Sequence, residues 1–235
     1  ACAHGVAAAA GEPTPTTAGA GSGAPRASSS PAAPVHWDDS WFGRLTAKHK
    51  AIFDSPQIED GLALSHAAGY VRGMRDAAGA GADDVQAVVV IRHAAIPMIF
   101  NDAMWAKYKI GEERKIKAGD SDKWAARNEF IGTPLVPAAQ TGAAVANGAT
   151  GRRPQSPDLP QPTFSWLSAH GHILLGCDQA TRGVAAIFAR TAKVDQRIVY
   201  EDLKANLVPG VILQPTGVYA ALRAQEAGCT YIRST

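Results

Sequence analysis

The chain lacks the residue patterns that mark the most easily recognised classes of protein. It has only three cysteines among 235 residues, Cys2, Cys177 and Cys229, and an odd number at such wide spacing is neither a disulfide framework nor a zinc-binding pattern. The net charge is only +2, from 23 basic and 21 acidic residues, so we expect no general attraction to nucleic acid or to an anionic membrane. The pair Arg152 and Arg153 lies in a proline-rich stretch and is interpreted as solvated rather than as a phosphate site.

Longer signals are missing as well. No run of residues is long and apolar enough to span a bilayer. The stretch 176–183 has glycines at both ends but not the spacing of a dinucleotide-binding loop, so we expect neither a nucleotide nor a flavin. His170 and His172 alternate at the start of a predicted strand, but two ligands without a third do not make a metal site. The sequence therefore predicts no cofactor and no metal.

Residues 1–35 are almost entirely Ala, Gly, Pro, Ser and Thr, a composition that cannot build a core. The chain opens on Ala1 rather than on methionine, and Ala1-Cys2-Ala3 fits the small residues around a signal-peptidase site. We therefore expect an exported protein of the periplasm or cell envelope whose signal peptide has been removed. Cys2 is an alternative site for a lipid anchor. Without such a lipid, the protein would reach a membrane only through a partner.

Residues 36–47 carry three large aromatic side chains, Trp37, Trp41 and Phe42. We interpret this segment as packing on the flank of the following domain. An anchor for a binding partner is the alternative, because tryptophan is enriched at interfaces.

The rest of the chain, residues 48–235, alternates predicted strands and helices. Runs of strand length lie at 49–54, 85–91, 172–176, 211–214 and 229–233. Helical patterns lie at 58–78, 94–108, 122–130, 164–169, 179–190, 199–207 and 218–227. This alternation predicts a three-layer α/β/α domain with a doubly wound, mainly parallel, five-stranded sheet. A Pro/Gly/Ala-rich stretch at about 131–163 is predicted to be an irregular insertion.

Cys177 follows the third predicted strand and precedes a helix. This places its thiol at the carboxyl edge of the sheet, where ligands bind in open α/β folds, and at a helix N-terminus, which favours thiolate. Asp54, His93 and Thr216 also end or follow predicted strands. A flavodoxin-like strand order, with strands one and three adjacent, would gather all four around one depression and bring Asp54 closer to Cys177 than His93. Cys229 begins a strand at the opposite edge, so we expect no disulfide between the two cysteines.

Each candidate site residue also has an interpretation without chemistry. Cys177 is either a nucleophile or a small buried hydrophobe. His93 either stabilises a thiolate and moves a proton, or bonds a backbone carbonyl. Asp54 is either an acid or a turn residue. Cys229 is interpreted as core packing.

Two stretches resemble a known family. They are 176–184, Gly-Cys-Asp-Gln-Ala-Thr-Arg-Gly-Val, and the ending at 208–233, in which a valine-rich strand, a small-residue turn and a helix lead into an aromatic strand. Together with the strand at 85–93 they resemble the exported DsrE/DsrF-like sulfur-relay proteins, over about 48–130 and 164–233. The resemblance implies a flavodoxin-like sheet, frequent homo-oligomers, and a persulfide-carrying cysteine at the position of Cys177.

Two functions remain open at this point. The first is an envelope sulfur-handling protein, whose partners would be thiol or persulfide proteins that donate and accept sulfur. The second is a non-catalytic accessory or structural subunit, bound through its tail and insertion to a larger, membrane-associated complex. Both predict protein partners, by self-association or in such a complex.

Overall fold

The structure, a computed structural model, describes residues 36–119, 121–132 and 159–235. The strands are β1 (His49–Ser55), β2 (Val85–Ile91), β3 (Ile173–Cys177), β4 (Val211–Gln214) and β5 (Thr230–Arg233). The helices are α1 (Leu62–Ala78), α2 (Asp102–Lys107), α3 (Ile110–Glu113), α4 (Phe164–Ala169), α5 (Asp178–Ala192), α6 (Gln196–Ala205) and α7 (Gly217–Glu226). Short 3-10 segments lie at Ser40–Arg44, Glu59–Gly61, Ala82–Asp84 and His93–Ile99.

The five strands form one all-parallel sheet in the order β4-β3-β2-β1-β5. The predicted fold class, a three-layer α/β/α flavodoxin-like domain with a five-stranded sheet, is confirmed. The expected adjacency of strands one and three is wrong, because β2 lies between them and pairs with both. Parallel strands joined by right-handed crossovers allow several orders, and the sequence pattern alone did not choose between them.

Apolar side chains cover both faces of the sheet. Ala51 and Phe53 of β1 point into one cluster, together with α1 and α5, while Ile52 points into a second cluster with α7. This alternation follows the two-residue period of a strand. It explains why β2, in the middle of the sheet, is a nearly continuous β-branched run that buries hydrophobic side chains on both sides.

The Trp-containing segment completes the second cluster. Trp41 lies in the 3-10 turn and is fully buried against Ile52, Val88 and α7. Full burial of a large aromatic side chain stabilises a fold by about 2 to 3 kcal/mol. The segment therefore packs on the flank of the domain through Trp41.

Two predicted helices differ from the structure. Residues 122–130 contain no helix, because the Asn128 N–H donates to the Asp102 carboxylate at 2.8 Å instead of to a carbonyl of its own segment. The Asn128 side chain also donates to the carbonyls of Met98 (2.6 Å) and Phe100 (2.8 Å). The predicted helix at 94–108 breaks into a 3-10 segment and α2. Asn101 starts α2 as its cap, since its side chain accepts from the Met104 N–H at 3.2 Å.

The predicted insertion at about 131–163 lies mostly outside the described residues. Its two ends are neighbours: Phe164 N–H donates to the Phe130 carbonyl (3.1 Å) and Ser165 N–H to the Ile131 carbonyl (3.0 Å). The domain thus continues directly from one end of the stretch to the other. The tail, Cys2, Arg152 and Arg153 also lie outside the described residues.

Candidate functional site

The Cys177 thiol lies where β3 ends and α5 begins. The residue before it is Gly176, which lets the side chains of Ile99 and Leu213 pack against the end of β3, because a Cβ atom on Gly176 would come within 2.7 Å of Ile99 and 3.1 Å of Leu213. Cys177 is the N-cap of the 15-residue helix α5, and its sulfur accepts the Ala180 N–H at 3.3 Å. The sulfur therefore contacts one of the free N–H groups of a helix N-terminus, which carries a partial positive charge.

This position is a switch point of the sheet. After β3 the chain enters α5 on one face, and after the neighbouring strand β4 it enters α7 on the other face. Open α/β sheets form a crevice at such points, and ligands bind there. Cys177 therefore lies at the carboxyl edge of the sheet, as predicted, but the strands that flank β3 are β2 and β4 rather than β1.

An open cavity of about 510 Å³ lies beside Cys177, lined by the segment that follows β2, by Arg114, by α5 and by Val218 of α7. Cys177 and His93 both line it, although they lie at the ends of different strands. The Cys177 residue keeps 6 % of its surface exposed. The other polar side chains in the wall belong to Arg92, Arg114 and Gln179. The residues lining this cavity do not include Asp54 or Thr216, so only two of the four residues expected around one depression are found there.

His93 has an unusual backbone for a residue with a side chain. Its φ angle is +53°, in the left-handed region, which histidine enters more readily than most residues but at some cost. The following N–H groups, of Ala94 and Ala95, both donate to the Pro56 carbonyl, which holds the turn in place. The His93 side chain is exposed and forms no hydrogen bond with the described residues.

Asp54 lies deeper in the same edge of the sheet and is 1 % exposed. Its carboxylate accepts two hydrogen bonds from Arg92, both at 2.7 Å, and one from the Tyr231 hydroxyl at 2.6 Å. The bonds to Asp54 raise the pKa of Arg92 above its ordinary value. Since β2 separates β1 from β3, and neighbouring strands lie about 4.8 Å apart, the expectation that Asp54 is the nearer neighbour of Cys177 loses its basis.

Thr216 lies at the start of α7. Its hydroxyl oxygen accepts the Tyr219 N–H at 3.0 Å, which makes it the N-cap of that helix. This is the local structural function of a threonine in such a position.

Asp178, directly after the cysteine, turns away into a network of its own. It is 3 % exposed and accepts hydrogen bonds from Arg182 Nε (2.7 Å) and the Tyr200 hydroxyl (2.5 Å). Burial, followed by the bond to Asp178, raises the pKa of Tyr200. The negative charge of Asp178 is therefore paired with Arg182.

The two arginines of the cavity were not predicted as site residues. Arg92 follows β2 directly and could have been found by the same strand-end argument as His93. Arg114 comes just after α3 in a charged stretch, and nothing in the local sequence singles it out.

The remaining candidate ligands and thiols lie apart from the cavity. His170 stacks on Trp166 with the rings 4.0 Å apart, and His172 accepts the Ala87 N–H through Nδ1 at 3.2 Å. Cys229 lies just before β5 at the amino edge, and neither it nor Cys177 is disulfide-bonded. Within 36–119, 121–132 and 159–235, no group of three or more His, Cys, Asp or Glu side chains is placed to hold a metal ion.

The chain matches no protein-family model, no curated protein and no solved structure. In the part of the chain that the structure describes, every helix is too short or too polar to cross a membrane.

Proposed function

We propose that the protein carries sulfur as a persulfide on Cys177, as its resemblance to the DsrE/DsrF-like proteins implies. The observation that carries this proposal is the Cys177 sulfur, which accepts a helix N-terminal N–H in the wall of an open cavity. A reactive thiol needs access and a positive environment. Cys177 has the cavity on one side and the N-terminus of α5 on the other.

The proposed step is attack of the Cys177 thiolate on the outer sulfur of a polysulfide or of a donor protein's persulfide. A new S–S bond forms on Cys177 and the donor's S–S bond breaks. The donor leaves with the electron pair of that bond, as a thiolate in the case of a protein persulfide or as a polysulfide anion one sulfur shorter. An acceptor thiolate then removes the outer sulfur by the same exchange. His93 lines the same cavity and is the group proposed to hold or release the proton of the thiol.

Intact mass of the purified protein after polysulfide treatment tests this function. We expect the mass of one added sulfur atom on the wild-type chain and on Cys229→Ser, and none on Cys177→Ser. The serine variant keeps a cap for α5, so its fold is retained. An adduct that persists on Cys177→Ser would transfer the chemistry to Cys2 or Cys229 and contradict the proposal.

The second candidate is a non-catalytic subunit of a larger assembly. Two observations favour it: Cys177 is 94 % covered, since only 6 % of its surface is exposed, and α7 presents two apolar side chains one turn apart, Val218 (59 % exposed) and Leu222 (56 % exposed). Under this function, polysulfide would leave the folded wild-type protein unchanged while the urea-unfolded protein forms the adduct. The same mass experiment therefore separates the two candidates.

Location in the cell envelope is part of the proposal and rests on the composition of residues 1–35. Cell fractionation of the producing organism with an antibody against the folded domain tests it. Recovery of the protein with cytoplasmic markers would contradict export.

A further inference from the structure

Arg114 is an arginine without a partner at the edge of the cavity. The side chain is half-buried, its Nε atom is fully covered, and that atom has no hydrogen-bond partner among the described residues. No carboxylate of the described residues forms an ion pair with it. Covering a guanidinium nitrogen without an acceptor is unfavourable, so an acceptor from outside the described residues would stabilise this side chain.

Arg92 supplies a fixed donor to the same cavity. Its Nε and Nη2 atoms are both bonded to Asp54, and no bond to a described residue uses Nη1. Gly217 presses against its stem, because a Cβ there would lie 2.5 Å from the Arg92 Cβ and 2.6 Å from Cδ. Because Asp54 and Gly217 already restrain the Arg92 side chain, its guanidinium loses little conformational entropy when it binds a ligand.

The rest of the wall contains donors and no competing carboxylate. Neither Asp nor Glu lines this cavity, whereas Arg92, His93, Arg114 and Gln179 do. Arg92 is already neutralised by Asp54. Arg114 also lines a neighbouring cavity with Glu59, Asp60 and Glu129 but forms an ion pair with none of these, so it is the cation in this wall that has no bonded carboxylate among the described residues. Arginine binds planar or tetrahedral oxyanions through several hydrogen bonds at once.

We infer that this cavity binds a small divalent oxyanion, with Arg114 as its principal ligand and Arg92 as a second, pre-positioned donor. Sulfate, thiosulfate and inorganic phosphate share this chemistry, and the volume of about 510 Å³ also has room for an oxyanion with a substituent. The inference goes beyond the proposed sulfur chemistry and does not require Cys177 to react. If both hold, the anion binds in the same cavity as the thiol.

Calorimetric titration of the full chain with sulfate, thiosulfate and phosphate, each in a buffer without other oxyanions, tests the inference. We expect binding of at least one of them to the wild type, and at least tenfold weaker binding to Arg114→Met, which keeps the apolar stem and removes the charge. Arg190→Met is the matched control, because Arg190 is an exposed arginine at the far end of α5 and should bind like the wild type.

Other outcomes of the titration would contradict the oxyanion site. No binding of any of the three anions, or equal binding by Arg114→Met and the wild type, would overturn the inference. Cys177→Ser should bind the anion normally, and loss of binding in that variant alone would show a reaction at the thiol instead of an anion site. Because anion binding is measured separately from persulfide formation, failure of one leaves the other standing.

Discussion

The two edges of the sheet treat their buried ionisable side chains in opposite ways. At the amino edge, Cys229 and His172 are held neutral by burial: burial raises the pKa of Cys229, and burial lowers the pKa of His172 to about 4. At the carboxyl edge, Asp54 is equally buried but is paired with Arg92, and Cys177 contacts a helix N-terminus.

The difference shows where this fold can place chemistry. A side chain held neutral in the core contributes packing and little else. The carboxyl edge instead has the N-termini of α5 and α7, charged partners and the cavity that Cys177 lines. The two cysteines make the comparison direct, since both are 6 % exposed and only their surroundings differ.

Removing the Asp54 carboxylate should have the largest effect. Asp54→Ala leaves Arg92 without its partner and Tyr231 without its acceptor, so we expect the free energy of unfolding to fall by about 3 to 4 kcal/mol. Urea unfolding followed by circular dichroism measures it. Asp76→Ala, at an exposed position of α1, is the control. A loss no larger than that of the control would show that the ion pair does not stabilise the edge.

The neutral, buried His172 at the amino edge should make the free energy of unfolding depend on pH. In the folded protein the pKa of His172 is about 4, and the ordinary pKa of a histidine is 6.5, so below pH 6.5 the unfolded chain takes up a proton that the folded chain does not. The contribution of neutral His172 to the free energy of unfolding is fully present above about pH 6.5. It is lost as the pH falls toward 4, by up to about 3 kcal/mol.

Urea unfolding of the wild type and of His172→Gln across this pH range checks the prediction. The wild type should lose more stability than the variant, whereas His36→Gln, at an exposed position, should follow the wild type. Parallel curves for the wild type and His172→Gln would contradict a neutral buried His172.

The reactivities of the Cys177 and Cys229 thiols test the difference between the two edges directly. We expect iodoacetamide to label Cys177 in the folded protein at least about tenfold faster than Cys229, equivalent to about 1.4 kcal/mol. Cys177 lines the cavity, and burial disfavours the thiolate of Cys229. Peptide mass spectrometry after timed quenching separates the sites, with the urea-unfolded chain as reference. Equal rates in the folded protein would remove the distinction between the two edges.

Much of this edge could be predicted from local sequence, because strand ends are marked by local signals. The β-branched run Val85–Ile91 predicts β2 with its observed bounds, and the strand-to-helix change at Cys177 predicts its place at the carboxyl edge. Strand order could not be predicted, since it depends on how the crossovers pack rather than on any one segment. For this reason the expectation that Asp54 lies on the strand next to that of Cys177 is wrong, since β2 lies between β1 and β3.

Other features depend on contacts between distant segments. Arg114 follows α3, and α3 packs closely on Ala125: a Cβ on Gly111 would lie 2.1 Å from the Ala125 carbonyl oxygen. The segment that contains Ala125 is non-helical because the Asn128 N–H donates to the Asp102 carboxylate instead of to a carbonyl of its own segment. The helical or strand periodicity of a segment gives no information about such contacts between distant segments.

The smallest expected effect is that of substituting Thr216, which tests whether this residue only caps α7 or also belongs to the site of Cys177. Thr216 caps α7 through a 3.0 Å bond to the Tyr219 N–H but does not line the cavity. Thr216→Ala should therefore lower the free energy of unfolding by about 1 kcal/mol, while Thr216→Ser, which keeps the hydroxyl, should restore it. The iodoacetamide rate of Cys177 should be unchanged in both variants, because Cys177 takes its hydrogen bond from α5 and not from α7. A slower Cys177 in Thr216→Ala at unchanged stability would place Thr216 in the site, as the strand-end argument first suggested.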